Sequence, residues 1–188
     1  KLVRLGPESP EIEVDGSLDE GTWKTIPGVD QFVVTNPDTL TKPIFQTIVR
    51  AFYTDKGLYV GFDMEQPNST LVRRFSGRDN GWLNRDAVSI TLDTSGEGRY
   101  GYWMNLALGG NQTDGTVLPE RDFSDDWDGA WIGATSVTSQ GWSAELFLPW
   151  SQVAMPKKEN ERVINAYVSR KVAHLDERWT IPALPFSQ

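Results

Sequence analysis

Phe45-Gln46-Thr47-Ile48-Val49-Arg50-Ala51-Phe52-Tyr53-Thr54-Asp55-Lys56-Gly57-Leu58-Tyr59-Val60-Gly61-Phe62-Asp63-Met64 is the stretch whose reading decides the fold. Phe45, Thr47, Val49, Ala51 and Tyr53 alternate with Gln46, Ile48 and Arg50. After a turn at Asp55-Lys56-Gly57, Leu58, Val60, Phe62 and Met64 alternate with Tyr59, Gly61 and Asp63. A period of two on both sides of a short glycine-containing turn is a β-hairpin pattern with one apolar face.

The pattern recurs outward from this hairpin. Val88, Ile90 and Leu92 alternate with Ser89, Thr91 and Asp93 before a turn over 95–98. The return strand carries Tyr102, Met104, Leu106 and Leu108 on one face and Trp103, Asn105 and Ala107 on the other. Residues 131–137, a turn over 138–141, and the inward set Trp142, Ala144, Leu146 and Leu148 make a third pair, and 163–172 reads as a last strand with mixed faces. Helical spacing is confined to 18–23 and 151–155. The expectation is an all-β, antiparallel β-sandwich, because two sheets burying facing apolar sides satisfy every hairpin with one core. Residues 67–84 and 109–129 read as irregular connections, the places where a sandwich concentrates binding residues. No repeat or linker divides the chain, so residues 1–188 read as one domain.

Composition narrows the function classes. The 188 residues carry a formal net charge of −8 with 38% hydrophobic and 23% charged residues, ordinary for a folded domain and too apolar for a disordered one. With no cysteine, disulfides, thiolate metal sites and a cysteine nucleophile are excluded. One histidine, His174, excludes any site needing two imidazoles. A pI near 4.7 argues against a nucleic-acid partner, which needs a basic surface. No apolar run in the sequence reaches the length of a membrane helix, so no membrane insertion by this domain is expected. Binding survives these tests better than catalysis. Asp86, Asp93 and Glu145 lie on expected strands, but nothing pairs two of them as acid and base, and a solvated or ion-paired role is expected for Glu145.

Eight tryptophans exceed the usual rate of about one per hundred residues. Trp23, Trp103 and Trp142 are assigned to packing. Trp82 and Trp179 follow polar sequence, Asn80-Gly81-Trp82 and Asp176-Glu177-Arg178-Trp179, where an indole either plugs a loop onto the core or is presented to a ligand, and they are the candidate ligand-binding rings. A sugar is a natural guest: pyranose C–H groups lie on an indole face while carboxylates and amides take the hydroxyls. Arg85, Asp86, Asn105 and Asp176 are the candidate hydroxyl partners. Asp125, Asp126 and Asp128, in the acidic stretch 122–129, form a candidate calcium loop without EF-hand spacing.

Four segments resemble family 9 carbohydrate-binding modules. Val14-Asp15-Gly16-Ser17-Leu18-Asp19-Glu20-Gly21-Thr22-Trp23 resembles "I-D-G-x-L-D-E-x-x-W", and Phe52 to Phe62 resembles "Y-D-D-E-x-L-Y-V-x-F". Asp86-Ala87-Val88-Ser89-Ile90-Thr91-Leu92-Asp93 is similar to "D-x-V-E-I-F-L-D", and Gly141 to Trp150 to "G-W-x-x-E-x-x-I-P-W/F". The resemblance implies a sandwich of the DOMON-like, jelly-roll type, and stacking tryptophans at Trp82 and Trp179. The polar anchors depart from the pattern: the glutamate is Ser89, an expected arginine is Trp103, and a late asparagine is Asp176. Each lost charged hydrogen-bonding group costs on the order of 1.5–3 kcal/mol if nothing replaces it.

Gly101-Tyr102-Trp103-Met104-Asn105, Asp128-Gly129-Ala130-Trp131 and Leu184 to Gln188 resemble a bacterial subgroup in which such a module precedes an outer-membrane β-barrel. That implies a domain cut from a longer chain with a C-terminal barrel, in the periplasm or at the surface of a Gram-negative cell. The leading expectation is non-catalytic saccharide binding in support of carbohydrate catabolism or uptake. The alternatives are a structural domain of the barrel with no small ligand, and a haem-binding electron-transfer domain using His174 with Met64, Met104 or Met155.

Overall fold

The hairpin of residues 45–64 forms as β4 (Thr47–Tyr53) and β5 (Gly57–Glu65), paired antiparallel from Thr47 opposite Met64 to Tyr53 opposite Leu58. The computed structural model describes residues 2–9, 12–81, 83–119, 122–157 and 161–184. Its remaining elements are β1 (Val3–Arg4), α1 (Gly21–Thr25), β2 (Gly28–Val29), β3 (Val33–Asn36), β6 (Ala87–Asp93), β7 (Gly101–Ala107), β8 (Gln112–Leu118), β9 (Asp122–Ser124), β10 (Ile132–Val137), β11 (Gly141–Pro149), β12 (Asn165–Val172) and β13 (Glu177–Ile181).

Two sheets face each other. One has six strands in the order β1-β4-β5-β11-β10, with β2 also on β4, and the other has seven in the order β3-β13-β12-β6-β7-β8-β9. All pairings are antiparallel except β1 with β4. The β-sandwich expected from the period-two pattern is therefore the fold. Its core holds the inward residues of that pattern, among them Val60, Phe62 and Met64 from one sheet and Ile90, Met104 and Leu106 from the other. Trp142, fully buried, closes the core from β11.

A second, smaller cluster covers the outer face of the six-stranded sheet. Trp23 of α1 packs edge-on against Phe52 at 5.0 Å, with Ile12 and Ile26 beside it. Gly16 makes this cover possible: its φ of +94° suits glycine, and a side chain there would begin 2.5 Å from the Thr135 backbone. Glu145, expected on a solvated face, is instead buried under this strap. Its carboxylate accepts the backbone N–H groups of Asp15 at 3.0 Å and Gly16 at 2.9 Å, and the Trp23 indole N–H at 2.8 Å.

The connection expected over 109–129 contains β8 and β9. Asp114 hid β8 because its carboxylate points inward, where it accepts the Gly129 N–H at 2.9 Å and the Trp131 indole N–H at 2.8 Å and pairs with Arg78 at 2.9 Å. A buried charge with this many partners satisfies a strand position that the apolar pattern cannot register.

Candidate functional site

The outer face of the seven-stranded sheet has no apolar strap like the one on its opposite; among the described residues the buried apolar clusters are the core and the Trp23 cluster. Strand register decides what this face presents, because residues directly opposite one another share a face. Thr180, Ser169, Ser89, Asn105 and Thr113 stand opposite one another in a line across β13, β12, β6, β7 and β8. On one side of this line run Tyr167, Thr91, Trp103 and Gly115; on the other run Arg178, Lys171, Ala87 and Ala107. The face thus carries a polar floor between an aromatic edge and a cationic edge, with Ser89 and Asn105 half-buried and Thr180, Ser169 and Thr113 buried.

The floor is partly wired together. The Ser89 and Ser169 hydroxyls lie 2.7 Å apart, and an Arg178 Nη1 reaches the Ser169 hydroxyl at 3.4 Å. Asn105 makes no side-chain hydrogen bond among the described residues, and the buried Thr113 hydroxyl has no partner among them. Trp103 lies over Gly115: a Cβ on that glycine would meet the indole at 2.8 Å. The indole N–H donates to the Thr116 carbonyl at 3.1 Å, and Phe123 meets its edge at 6.5 Å. This fixes a half-buried aromatic ring beside the polar line, so Trp103 is held by packing as expected and also contributes surface.

The loops at the end of this sheet are held by two of the expected hydroxyl partners. Arg85 is buried, and its guanidinium donates to the carbonyls of Arg74 at 2.9 Å and Asn80 at 2.7 Å and to the Ser76 hydroxyl at 2.8 Å. Burial lowers its pKa from the ordinary arginine value. Asp86 is fully buried and accepts the backbone N–H groups of Val72 and Ala173, each at 2.8 Å, and the Gln66 amide at 3.0 Å. Both residues position loops and present no charge to a ligand, which corrects the expectation for them.

Trp179 is corrected too. It belongs to β13, not a loop, and is 0% exposed in the core. The Arg170 guanidinium stacks on it at 4.9 Å, and its N–H donates to the Glu177 carboxylate at 2.6 Å. A buried ring in this setting cannot stack on a sugar. Trp82 lies outside the described residues; its neighbour Gly81 rests against Thr113, where a Cβ would meet the Thr113 methyl at 3.7 Å. Asn105 lies on the open face as expected. Asp176 is exposed at the rim in the β12–β13 turn, where its bond to Lys171 lowers its pKa.

The candidate calcium loop does not assemble. Asp125 and Asp126 are exposed, Asp126 accepts the Ser124 hydroxyl at 2.9 Å, and Asp128 pairs with Arg78 at 2.7 Å. Among the described residues no three carboxylate or imidazole groups converge as a metal cage. For the haem alternative, Met64 and Met104 are core residues and His174 is exposed in the β12–β13 turn. No helix among the described residues is long and apolar enough to cross a membrane.

These features define a β-sandwich, and its fold is shared with solved carbohydrate-binding modules of family 9. A module of that family from Caldicellulosiruptor kristjanssonii, solved with cellotriose, superposes with a TM-score of 0.62 at 15% identity, covering 96% of this chain and 82% of the other. The same kind of module with glucose gives a TM-score of 0.58 at 14% identity over 94% and 83%. A candidate carbohydrate-binding protein of Bacteroides uniformis gives 0.66 at 12% identity over 97% and 89%. No family model and no curated protein matches the chain.

Proposed function

We propose that this chain binds saccharides without catalysing their reaction, on the outer face of its seven-stranded sheet. The observation that carries the reading is the pair of half-buried polar residues Ser89 and Asn105, opposite each other on β6 and β7, beside the fixed ring of Trp103. Small hydroxyl and amide groups of this kind both donate and accept, which suits sugar hydroxyls, and a flat ring beside them takes the C–H face of a pyranose. Cellotriose and glucose, bound in two solved structures of this fold, support the same ligand class here. Trp82, expected from the sequence to stack, would supply a second aromatic wall.

Calorimetric titration with neutral and charged oligosaccharides tests the reading. Trp103→Ala is expected to weaken saccharide binding about tenfold, the equivalent of about 1.4 kcal/mol, because it removes the apolar platform for the sugar ring. Unchanged affinity in a folded Trp103→Ala variant would remove this face from the account.

We further propose that the domain works at the bacterial cell envelope beside an outer-membrane barrel, concentrating saccharide there as a linked binding site does. The support is the likeness of 101–105, 128–131 and 184–188 to that subgroup. Fractionation of the source cells checks it, and a cytoplasmic location would contradict it.

A further inference from the structure

The charges on the open face are distributed unevenly. Arg178 leans over the floor toward the Ser169 hydroxyl, and it has no carboxylate partner among the described residues. The pairing of β13 with β3 shifts by one residue between Arg178 and Trp179, leaving Thr35 of β3 as the extra residue of a β-bulge. Ser89 stands at the centre of the floor and brings no negative charge there. On the opposite flank Arg73 and Arg74 are exposed, Arg73 stacked on Phe75 at 5.0 Å and packed beside Gly109, two residues past β7. Strand spacing sets β13 and β7 about 14 Å apart.

The carboxylates nearby are committed. Asp93 lies about 13 Å along β6 from Ser89, and its oxygens accept the N–H groups of Ser95, Gly96 and Gly98 and the Asn165 amide. Asp176 is bonded to Lys171. A protein of net charge −8 has thus placed unpaired guanidinium groups around an uncharged floor.

We infer that the saccharide bound here carries an anionic group, a carboxylate or a sulfate ester, held by Arg178 beside the half-buried Ser89. A planar guanidinium matches either group in a two-pronged hydrogen bond, and such charge-assisted bonds are the stronger ones. This inference rests on the saccharide-binding reading above and narrows it to acidic glycans.

The test is calorimetry of the whole chain with three trisaccharides of equal length: neutral cellotriose, a uronate trisaccharide and a sulfated trisaccharide. At low salt at least one acidic sugar is expected to bind about tenfold tighter than cellotriose, and the gap is expected to narrow as salt screens it. The acidic sugar that gains identifies which group is recognised. Arg178→Gln is expected to bring the affinity ratio to about one, and Arg178→Lys to keep part of it. Circular dichroism confirms that both variants fold. Equal binding of neutral and acidic sugars, or a preference that survives Arg178→Gln, overturns the inference and leaves saccharide binding standing. Failure of all three sugars to bind overturns both.

Discussion

Replacing Glu145 with alanine is expected to destabilise the folded chain by about 3 kcal/mol, because a buried donor left without its acceptor costs about 1–3 kcal/mol and three lose it here. The N–H groups of Asp15 and Gly16 and the Trp23 indole all donate to this carboxylate. The loss also frees the strap that covers the six-stranded sheet, leaving the Ser143 hydroxyl bond to the Gly16 carbonyl at 2.6 Å as its nearest anchor. For a chain of this size the melting temperature should fall on the order of 10 °C. A change under about 1 kcal/mol in urea unfolding would show that the strap is held by its apolar contacts alone.

The same residue gives a pH dependence. Burial pushes the Glu145 carboxyl up to about 7, against the ordinary 4.5, despite the bonds from Gly16 and Trp23. Between those values the folded chain holds a proton that the unfolded chain has released, so stability falls as pH rises through the window and levels off above it. The stability difference between the parent and Glu145→Gln isolates this titration. It should move against the parent from pH 4.5 to 7, and a difference independent of pH would contradict the assignment.

Arg170→Ala should cost still more, about 3–5 kcal/mol, as expected when a partner is cut from a buried polar network. The guanidinium is 0% exposed and donates to the Gln46 carbonyl at 3.1 Å, the Thr47 hydroxyl at 2.7 Å, the Glu65 carbonyl at 2.8 Å and the Gln66 amide oxygen at 3.0 Å. Burial lowers its pKa to about 9, still above neutrality, so the group remains charged. Alanine would strand those acceptors and open space against Trp179. Arg170→Lys should recover little, since one ammonium with three donors cannot reach four acceptors spread over two segments, 46–47 and 65–66. Gln66 links this network to Asp86, so the loops at 72 and 173 should exchange amide protons faster in the alanine variant. Near-parental stability of Arg170→Ala would mean that these bonds contribute nothing net.

The hairpins were legible because their inward sets are uninterrupted: Leu58 to Met64 and Val88 to Leu92 alternate without exception. β8 was hidden by an inward aspartate and by Gly115, whose missing side chain makes room for Trp103. β13 was hidden by the polar run before it. Glu177 and Trp179 in fact share the inward face, joined by their own hydrogen bond. Arg85 and Asp86 were recognised as important but not for their role: Arg85 folds the irregular segment just before it, and Asp86 joins Val72 to Ala173, which lies 87 residues after Asp86. The line from Thr180 to Thr113 draws one small residue from each of five strands, and only the register brings them together. Ser89, Thr91, Trp103 and Asn105 could be assigned to one side of their hairpin from alternation. Ser169 and Arg178 could not, because one lies on a strand of mixed faces and the other on a strand the pattern missed.

Indole N–H resonances offer the most direct measurement of the central claim, that saccharides bind on the open face. During titration of the whole chain with cellotriose and with a uronate trisaccharide, the Trp103 resonance should shift saturably while those of buried Trp23, Trp142 and Trp179 stay in place. If no indole resonance moves at millimolar saccharide, or if Trp23 under the opposite sheet moves and Trp103 does not, the account of this face is wrong.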